Sequence, residues 1–466
     1  MKTTPPRTHL SSISNIVWPA LPPPAAANLL AMQFQLEQSQ WWTADQLLAQ
    51  QFRQLHALLM HAWESIPFYR ERLKVARFNP RIAVTPETFS QIPLLSRSDV
   101  QKGGAALLCR QLPHGHGEIH EGTTSGSTGR PLKYLGTQHS QLIWQALTLR
   151  DHLWHKRDFK GKLGAVRVGA KDGSLNSWGP PANLVFETGP AAVLKIGTAI
   201  DIQVAWLQEQ EPDYLLSYPS NVLGLAKYCL KKGIKLQKLR EVRTLGEALN
   251  PELRIACQEA WGVPVVDIYS ANEIGYIALQ CPEHDHYHVQ SESVLVEILR
   301  EDGTPCQPGE IGKMTVSSLH NYAMPLIRYE LGDYAETGEP CSCGRGLPVI
   351  KRIMGRQRNL ITLPNGKQHW PGTGYDRWID IAPIEQIQLV QKSPHQVEAR
   401  LVMQRRLTAD EQKRMTPILQ ESLGYAFQID FSYHGELHRS ASGKYEDFIS
   451  EIEQGPSKQH ENIQKH

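Results

Sequence analysis

The stretch from Asp213 to Tyr269 constrains the fold most. It reads as strand, helix, strand, helix, strand. Asp213-Tyr-Leu-Leu-Ser217 is followed by a helix carrying Leu223, Ala226 and Leu230, which Ser220 would cap. Val242-Arg-Thr-Leu245 is a second strand, Pro251 to Trp261 a helix with proline in its first turn, and Val263 to Tyr269 a third strand. Strands that alternate with helices imply an α/β region built on a largely parallel sheet. After about Gln290 the pattern changes: Val294, Val296 and Ile298 alternate, Asp302-Gly303 supplies a turn, and Gly312 to Ser317 returns. That part is expected to be antiparallel and hairpin-rich. A boundary follows near Met354-Gly355-Arg356. Beyond it Gln396 to Met403 and Ile429 to Tyr433 read as strands and Thr408 to Leu423 as a helix. The expected fold class is α/β, with a large N-terminal α/β domain of mixed sheets (1–354) and a small α+β C-terminal domain (355–466).

The ends of the chain are plainer. Pro19, Pro22, Pro23 and Pro24 suggest an extended lead-in. From Thr43 to about Trp63, Leu48, Phe52, Leu55 and Leu59 recur at helical spacing until Pro67 stops them. Gly455 to His466 are polar and expected to be disordered. A length of 466 residues suits two or three domains. Lys and Arg number 49 against 47 Asp and Glu, a net charge of +2, which argues against electrostatic binding to nucleic acid. No apolar stretch is long enough to span a bilayer, and MKTTPPRTHLSS lacks an apolar signal core, so a cytoplasmic chain is expected. Seven cysteines at low density point to reduced thiols or a metal site rather than a disulfide scaffold.

The strongest local signal is Thr123 to Pro131, TTSGSTGRP. Gly126 and Gly129 let backbone N–H groups turn towards one concave point, and five hydroxyl side chains add donors, which is what a polyphosphate needs. Taken alone, such a segment reads equally as a flexible linker.

Together with landmarks further along, this segment resembles the adenylate-forming superfamily of acyl-CoA synthetases, in its phenylacetate–CoA ligase branch. The landmarks run in the family's order from Thr124 to Lys444. Thr124, Ser125, Gly126, Ser127, Thr128 and Gly129 match the loop that covers the ATP phosphates, although the lysine usual just after it is absent, Pro131 being followed by Leu132. Ser217-Tyr-Pro-Ser220 resembles a segment near the acyl pocket. Gly246 and Glu247 resemble the stretch against adenine. Tyr269-Ser-Ala-Asn272-Glu273 matches Tyr-x-x-Thr/Ser-Glu, which implies that Tyr269 lies near adenine and Glu273 helps hold Mg²⁺, with Asn272 in place of the hydroxyl residue. Arg328-Tyr-Glu-Leu-Gly-Asp333 matches Arg-Tyr-x-x-Gly-Asp, in which Asp333 would take the ribose hydroxyls. Gly355-Arg356 matches the hinge, where Arg356 would serve nucleotide charge. Arg358 stands where the family carries an acidic residue. Arg439-Ser-Ala-Ser-Gly-Lys444 matches the catalytic lysine motif of a mobile C-terminal domain, whose Lys444 would stabilise charge developing at the α-phosphate.

Two cysteine segments complete the picture. Cys281-Pro-Glu-His284-Asp-His286-Tyr-His288 and Cys341-Ser-Cys343 together make a tetrahedral zinc set, and some members of this branch carry a structural metal joining such segments. Cys281, His288, Cys341 and Cys343 are the favoured ligands, with His284 and His286 as alternatives for the histidine. The tryptophan pair Trp41-Trp42 reads as packing. The basic run Lys351-Arg352…Arg356…Arg358 reads as hinge charge rather than a nucleic-acid surface.

What the resemblance implies is a ligase that activates a small carboxylic acid with ATP and Mg²⁺ as an acyl-adenylate and passes it to CoA, with a structural Zn²⁺. One alternative is an adenylating ligase with a non-CoA acceptor (amine, sugar or cofactor), with cell-surface polysaccharide synthesis as a setting. Another is a nucleotide-binding protein without catalysis. The acid and the oligomeric state are not readable from the residues.

Overall fold

The computed structural model describes residues 9–124, 132–169, 171–356, 359–369, 371, 377, 381–437 and 445–452. These fall into two compact units that divide between Met354 and Gly355. The C-terminal tail from Gly455 lies outside the described residues.

The first unit is organised by one sheet, of twelve strands among the described residues. At its centre Ala191–Lys195, Leu163–Arg167, Tyr214–Ser217, Glu241–Leu245 and Val265–Ala271 run parallel in that spatial order. From Val265–Ala271 outward the sheet becomes antiparallel through Gly275–Gln280, Tyr287–Val289 and Val349–Arg356, then Tyr329–Thr337, Ile311–Ser318 and Val294–Leu299. The change of texture expected near Gln290 is therefore a change of pairing within one sheet. The crossover helices Pro219–Lys232 and Pro251–Trp261 start at proline and end at Gly233 and Gly262, both in the left-handed region. Their apolar faces meet the parallel strands in a cluster of Val222, Leu225, Val242, Leu253 and Val265.

Two local expectations are corrected. Ser220 does not cap its helix: it is the second residue of Pro219–Lys232, and the cap position is Tyr218. The proline-rich lead-in is extended only up to Pro23. Pro24 opens a helix, Pro24–Ser39, because proline costs nothing at a first helical position and a run of Ala, Leu, Met, Gln and Glu follows.

The second unit is a four-stranded sheet, Gln428–His434, Gln396–Met403, Ile384–Ser393 and Phe448–Ser450 in spatial order. Thr408 caps the helix Ala409–Ser422 through a capping box with Glu411. That helix buries Met415 and Leu419 among Leu389, Val397, Ala399, Leu401 and Phe427.

Several histidines of the first unit are folded in without charge. Burial lowers His320 and His155 to about 4, and holds His152 well below its ordinary range. The unfolded chain takes up these protons near pH 6.5. Their contribution is therefore fully present above that pH and declines as the pH falls towards 4, each group costing up to about 1.4 kcal/mol per pH unit. Urea unfolding at pH 7.0, 5.5 and 4.5 should show a steep loss over this window, and a flat profile would contradict it.

Candidate active site

Three of the parallel strands end on the segments singled out above, at the carboxyl edge where open α/β sheets bind ligands. Tyr214–Ser217 runs into Tyr218-Pro219-Ser220, Glu241–Leu245 into Gly246-Glu247, and Val265–Ala271 into Asn272-Glu273. Gly246 has φ +82°, a left-handed turn that frees the backbone from the strand. The Glu247 carboxylate accepts the Ser220 backbone N–H at 2.9 Å, so a side chain from one strand end caps the helix leaving its neighbour.

Two motifs 64 residues apart meet directly. The Tyr269 hydroxyl donates to Asp333 Oδ2 at 2.7 Å, fixing that carboxylate on the strand Tyr329–Thr337. Beside them the Glu273 side chain is only 9% exposed, and the Tyr329 hydroxyl donates to its Oε1 at 3.4 Å. Thr124 is buried at the end of the hairpin Ile119–Thr123/Lys133–Thr137. Its N–H donates to the Leu132 carbonyl at 2.8 Å, and its Oγ1 accepts the Leu132 N–H at 3.1 Å. Ser125, Gly126, Ser127, Thr128 and Gly129 lie outside the described residues, as do Arg358 and Lys444. Arg356 ends the strand Val349–Arg356 and falls in the second unit, its backbone N–H donating to Asn359 Oδ1 at 2.9 Å.

Two arginines emerge to which sequence reasoning gave no role. Arg97 donates through Nη2 to Thr124 Oγ1 at 2.9 Å and places Nη1 4.0 Å from Glu273 Oε1. No motif marks it. The available signal was Ser96-x-x-Asp99, a capping box that fixes where its helix begins. Arg328, the first residue of the Arg-Tyr-x-x-Gly-Asp motif, is a structural clamp. At φ +52° it donates from Nε and Nη2 to both Glu297 oxygens at 3.1 and 3.0 Å, and from Nη1 to the carbonyls of Ile92, at 2.7 Å, and Ser90. The basic run also has local partners: Lys351 and Arg352 both donate to the buried Glu336 at 2.7 Å.

The cysteine segments converge. Donor atoms of Cys281, His286, His288 and Cys341 lie within 4.8 Å of one another, and Cys343 Sγ is 3.4 Å from His288 Nε2. Cys281 and Cys341 hold their sulfurs 3.9 Å apart, close to the roughly 3.8 Å edge that two 2.3 Å bonds at a tetrahedral angle would give. Both histidines therefore reach the set, where one was expected. His286 Nε2 is buried without a hydrogen-bond partner. His288 Nδ1 faces the Leu347 carbonyl at 3.4 Å, which leaves Nε2 as its lone-pair atom. Burial lowers His288 to about 4 and pushes the Cys341 thiol up to about 12. Arg345, two residues beyond Cys343, lies 4.8 and 4.7 Å from the rings of Trp41 and Trp154, which ties this loop to the turn before the helix Ala44–Ser65 and to the end of the helix Gln138–Trp154. An open groove of about 560 Å³ passes His284, His286, Cys341 and Lys351, and neither Glu273 nor Asp333 lines it.

No family model matches the chain. Phenylacetate-coenzyme A ligase of Thermus thermophilus is 26% identical over 328 residues, covering 68% of this chain and 72% of that protein. Phenylacetate-coenzyme A ligase of Pseudomonas putida is 25% identical over 340 residues, covering 69% and 73%. Among solved structures, 2-hydroxyisobutyryl-CoA ligase in the postadenylation state in complex with R3-HIB-AMP superposes with a TM-score of 0.71 at 18% identity, over 89% of this chain and 91% of that one. The fold described above is the fold of that ligase. Among the described residues no helix is long and apolar enough to cross a membrane.

Proposed function

We propose that this chain is an adenylate-forming ligase of the phenylacetate–CoA ligase-like branch, and that it activates a carboxylic acid with ATP and then forms a thioester with CoA. The substrate carboxylate oxygen attacks the α-phosphorus of ATP, pyrophosphate leaves, and an acyl-adenylate forms. The CoA thiolate then attacks the acyl carbon and AMP leaves. The observation that supports this reading is the Tyr269–Asp333 bond, with Glu273 just past the end of the strand that carries Tyr269. The Asp333 carboxylate is held by a 2.7 Å bond, which would suit it to ribose hydroxyls, and the buried Glu273 carboxylate would suit a hard cation.

In this reading Asp333 accepts the ribose hydroxyls, and the Tyr269 hydroxyl keeps its carboxylate aimed. Gly246 and Glu247 flank adenine, and Asn272 adds a hydrogen bond near phosphate. Thr124, with Ser125, Gly126, Ser127, Thr128 and Gly129, surrounds the β- and γ-phosphates. Glu273 would hold Mg²⁺, which when bound neutralises phosphate charge. Arg356 and Lys444, from residues 355–466, would bring cations to the nucleotide. Unlike a simple linker, a hydroxyl-rich segment that begins at a buried threonine starts from a fixed base.

The test is direct. The chain is incubated with ATP, Mg²⁺ and a panel of aryl and aliphatic acids, and pyrophosphate is measured with and without CoA. Pyrophosphate with at least one acid, and thioester once CoA is present, is expected. Adenylate without thioester would point to another acceptor, and bound ATP without pyrophosphate to a non-catalytic protein.

The cysteine cluster would hold a structural Zn²⁺ through Cys281, His286, His288 and Cys341, with Cys343 next to His288 as a further thiol donor. Both thiols would lose their protons on binding. Metal analysis of the purified chain is expected to give about one zinc per chain. Joint Cys281→Ser and Cys341→Ser substitution should abolish it and lower the melting temperature, and zinc retained in that variant would reject the set. A cytoplasmic setting suits reduced thiols.

A further inference from the structure

We propose that Arg97 is a phosphate-binding cation of this site and stands in for the lysine that is absent after Pro131. The proposal rests on the ATP-dependent reading above and adds a residue that no motif supplies. The position after Pro131 cannot carry an ammonium in this fold. Leu132 is 2% exposed and packs in the core with Leu107, Leu326 and Tyr329, where an unpaired charge would be buried at high cost. Arg130 is then the only cation within the segment itself, and a second one for the polyphosphate has to come from another element.

Arg97 stands where it is needed. Its guanidinium bonds Thr124 Oγ1 at 2.9 Å, the residue from which the hydroxyl-rich segment continues, and lies 4.0 Å from the Glu273 carboxylate. The side chain is 21% exposed, so one side of it faces solvent. A guanidinium also suits phosphate, because its planar fork meets two oxygens at once.

The backbone that carries it is held on both sides. Leu95 pairs with Tyr329 in a parallel bridge: its N–H donates to the Arg328 carbonyl at 2.8 Å, and its own carbonyl accepts the Glu330 N–H at 2.9 Å. The Arg328 side chain grips the Ile92 carbonyl just upstream, and the Ser96–Asp99 capping box fixes the helix start immediately downstream. Such support places a side chain to within the tolerance that a binding site requires.

The sequence of events follows from charge. Before nucleotide arrives, Arg97 offsets the Glu273 carboxylate. Glu273 would hold the divalent cation, and the triphosphate would then be the anion facing the guanidinium. When the bond from the α-phosphorus to the bridging oxygen breaks, the electron pair goes to pyrophosphate, and Arg97 stabilises that leaving anion.

Calorimetric titration of the full chain with Mg-ATP and, separately, AMP tests this in wild type, Arg97→Ala, Arg97→Lys and Arg130→Ala. Arg97→Ala is expected to weaken ATP binding about ten- to a hundredfold and to slow ATP–pyrophosphate exchange about a hundredfold. It should leave AMP affinity and melting temperature near wild type, and Arg97→Lys should recover most of the loss. A merely structural residue would instead weaken ATP and AMP together and lower the melting temperature, and that result overturns the proposal. So does wild-type ATP affinity in Arg97→Ala, or a loss found in Arg130→Ala alone. A wild-type chain that binds no ATP overturns the functional reading and this proposal together, whereas wild-type exchange undiminished in Arg97→Ala overturns this proposal alone.

Discussion

Asp151→Ala is expected to cost the first unit about 3–5 kcal/mol, the penalty for breaking a buried ion pair from one side. Asp151 is fully buried and accepts from Arg157 Nη1 at 2.7 Å and from Arg243 Nη2 at 2.6 Å, while Glu241 takes Arg157 Nε at 2.6 Å. The two guanidiniums hold the Asp151 carboxyl far below its ordinary range in spite of its burial. Removing it leaves two cations facing each other in the interior with one carboxylate between them. The effect reaches the site, because Glu241 and Arg243 lie on the strand that delivers Gly246 and Glu247. The urea midpoint should fall with little change in slope, and a loss below about 1 kcal/mol would reject the network's importance. The exposed pair Lys74–Glu71, with side chains 54% and 72% exposed, is the control, since Glu71→Ala should change stability by less than about 1 kcal/mol.

Lys444→Ala should give the largest chemical effect. Attack of a carboxylate on the α-phosphorus concentrates negative charge on a centre already surrounded by anionic oxygens. One cation brought to that centre supplies a term that is absent in the ground state. Loss of the ammonium is expected to slow acyl-adenylate formation about 10²–10³-fold, with ATP affinity changed far less. Single-turnover adenylate formation and equilibrium ATP binding separate the two quantities. An unchanged chemical rate removes Lys444 from the mechanism, and an equal loss in both makes it a binding residue.

Much of the architecture was readable because local rules and global fold agree. The helix Pro251–Trp261 shows its bounds through a proline that starts it and Gly262 that ends it, and Gln396–Met403 through strict alternation. The alternation of strands and helices around Asp213 to Tyr269 dictated parallel pairing, and the tight segments after each strand marked the carboxyl edge of the sheet. Other features depend on partners remote in sequence. Arg97 looks like any surface arginine at a helix start, and acquires meaning only when Leu95 pairs with Tyr329. Arg328 opens the Arg-Tyr-x-x-Gly-Asp motif yet spends its guanidinium on Glu297 and two backbone carbonyls. Ser220 satisfied the rule for a capping residue, but the cap comes from Glu247, just past the end of the next strand. His286 and His288 alternate along a single segment, so spacing could not tell which faces the cysteines, and both do.

The helix Ala44–Ser65 has a consequence for synthesis in the cell. Its Gln51 amide bonds the carbonyls of Ser291 and Val294, and Leu55, Leu58 and Leu59 share a core with Val294, Val316 and Leu319. Ser291 and Val294 follow Gln51 by 240 and 243 residues. At about 5–20 residues per second, a ribosome takes about 12–50 s to deliver them. Through that interval the nascent chain displays an amphipathic helix with no sheet to cover it, which is the kind of surface that chaperones hold and that aggregates when concentrated. Production of this protein should therefore respond to translation speed and chaperone supply more than to changes in the finished fold.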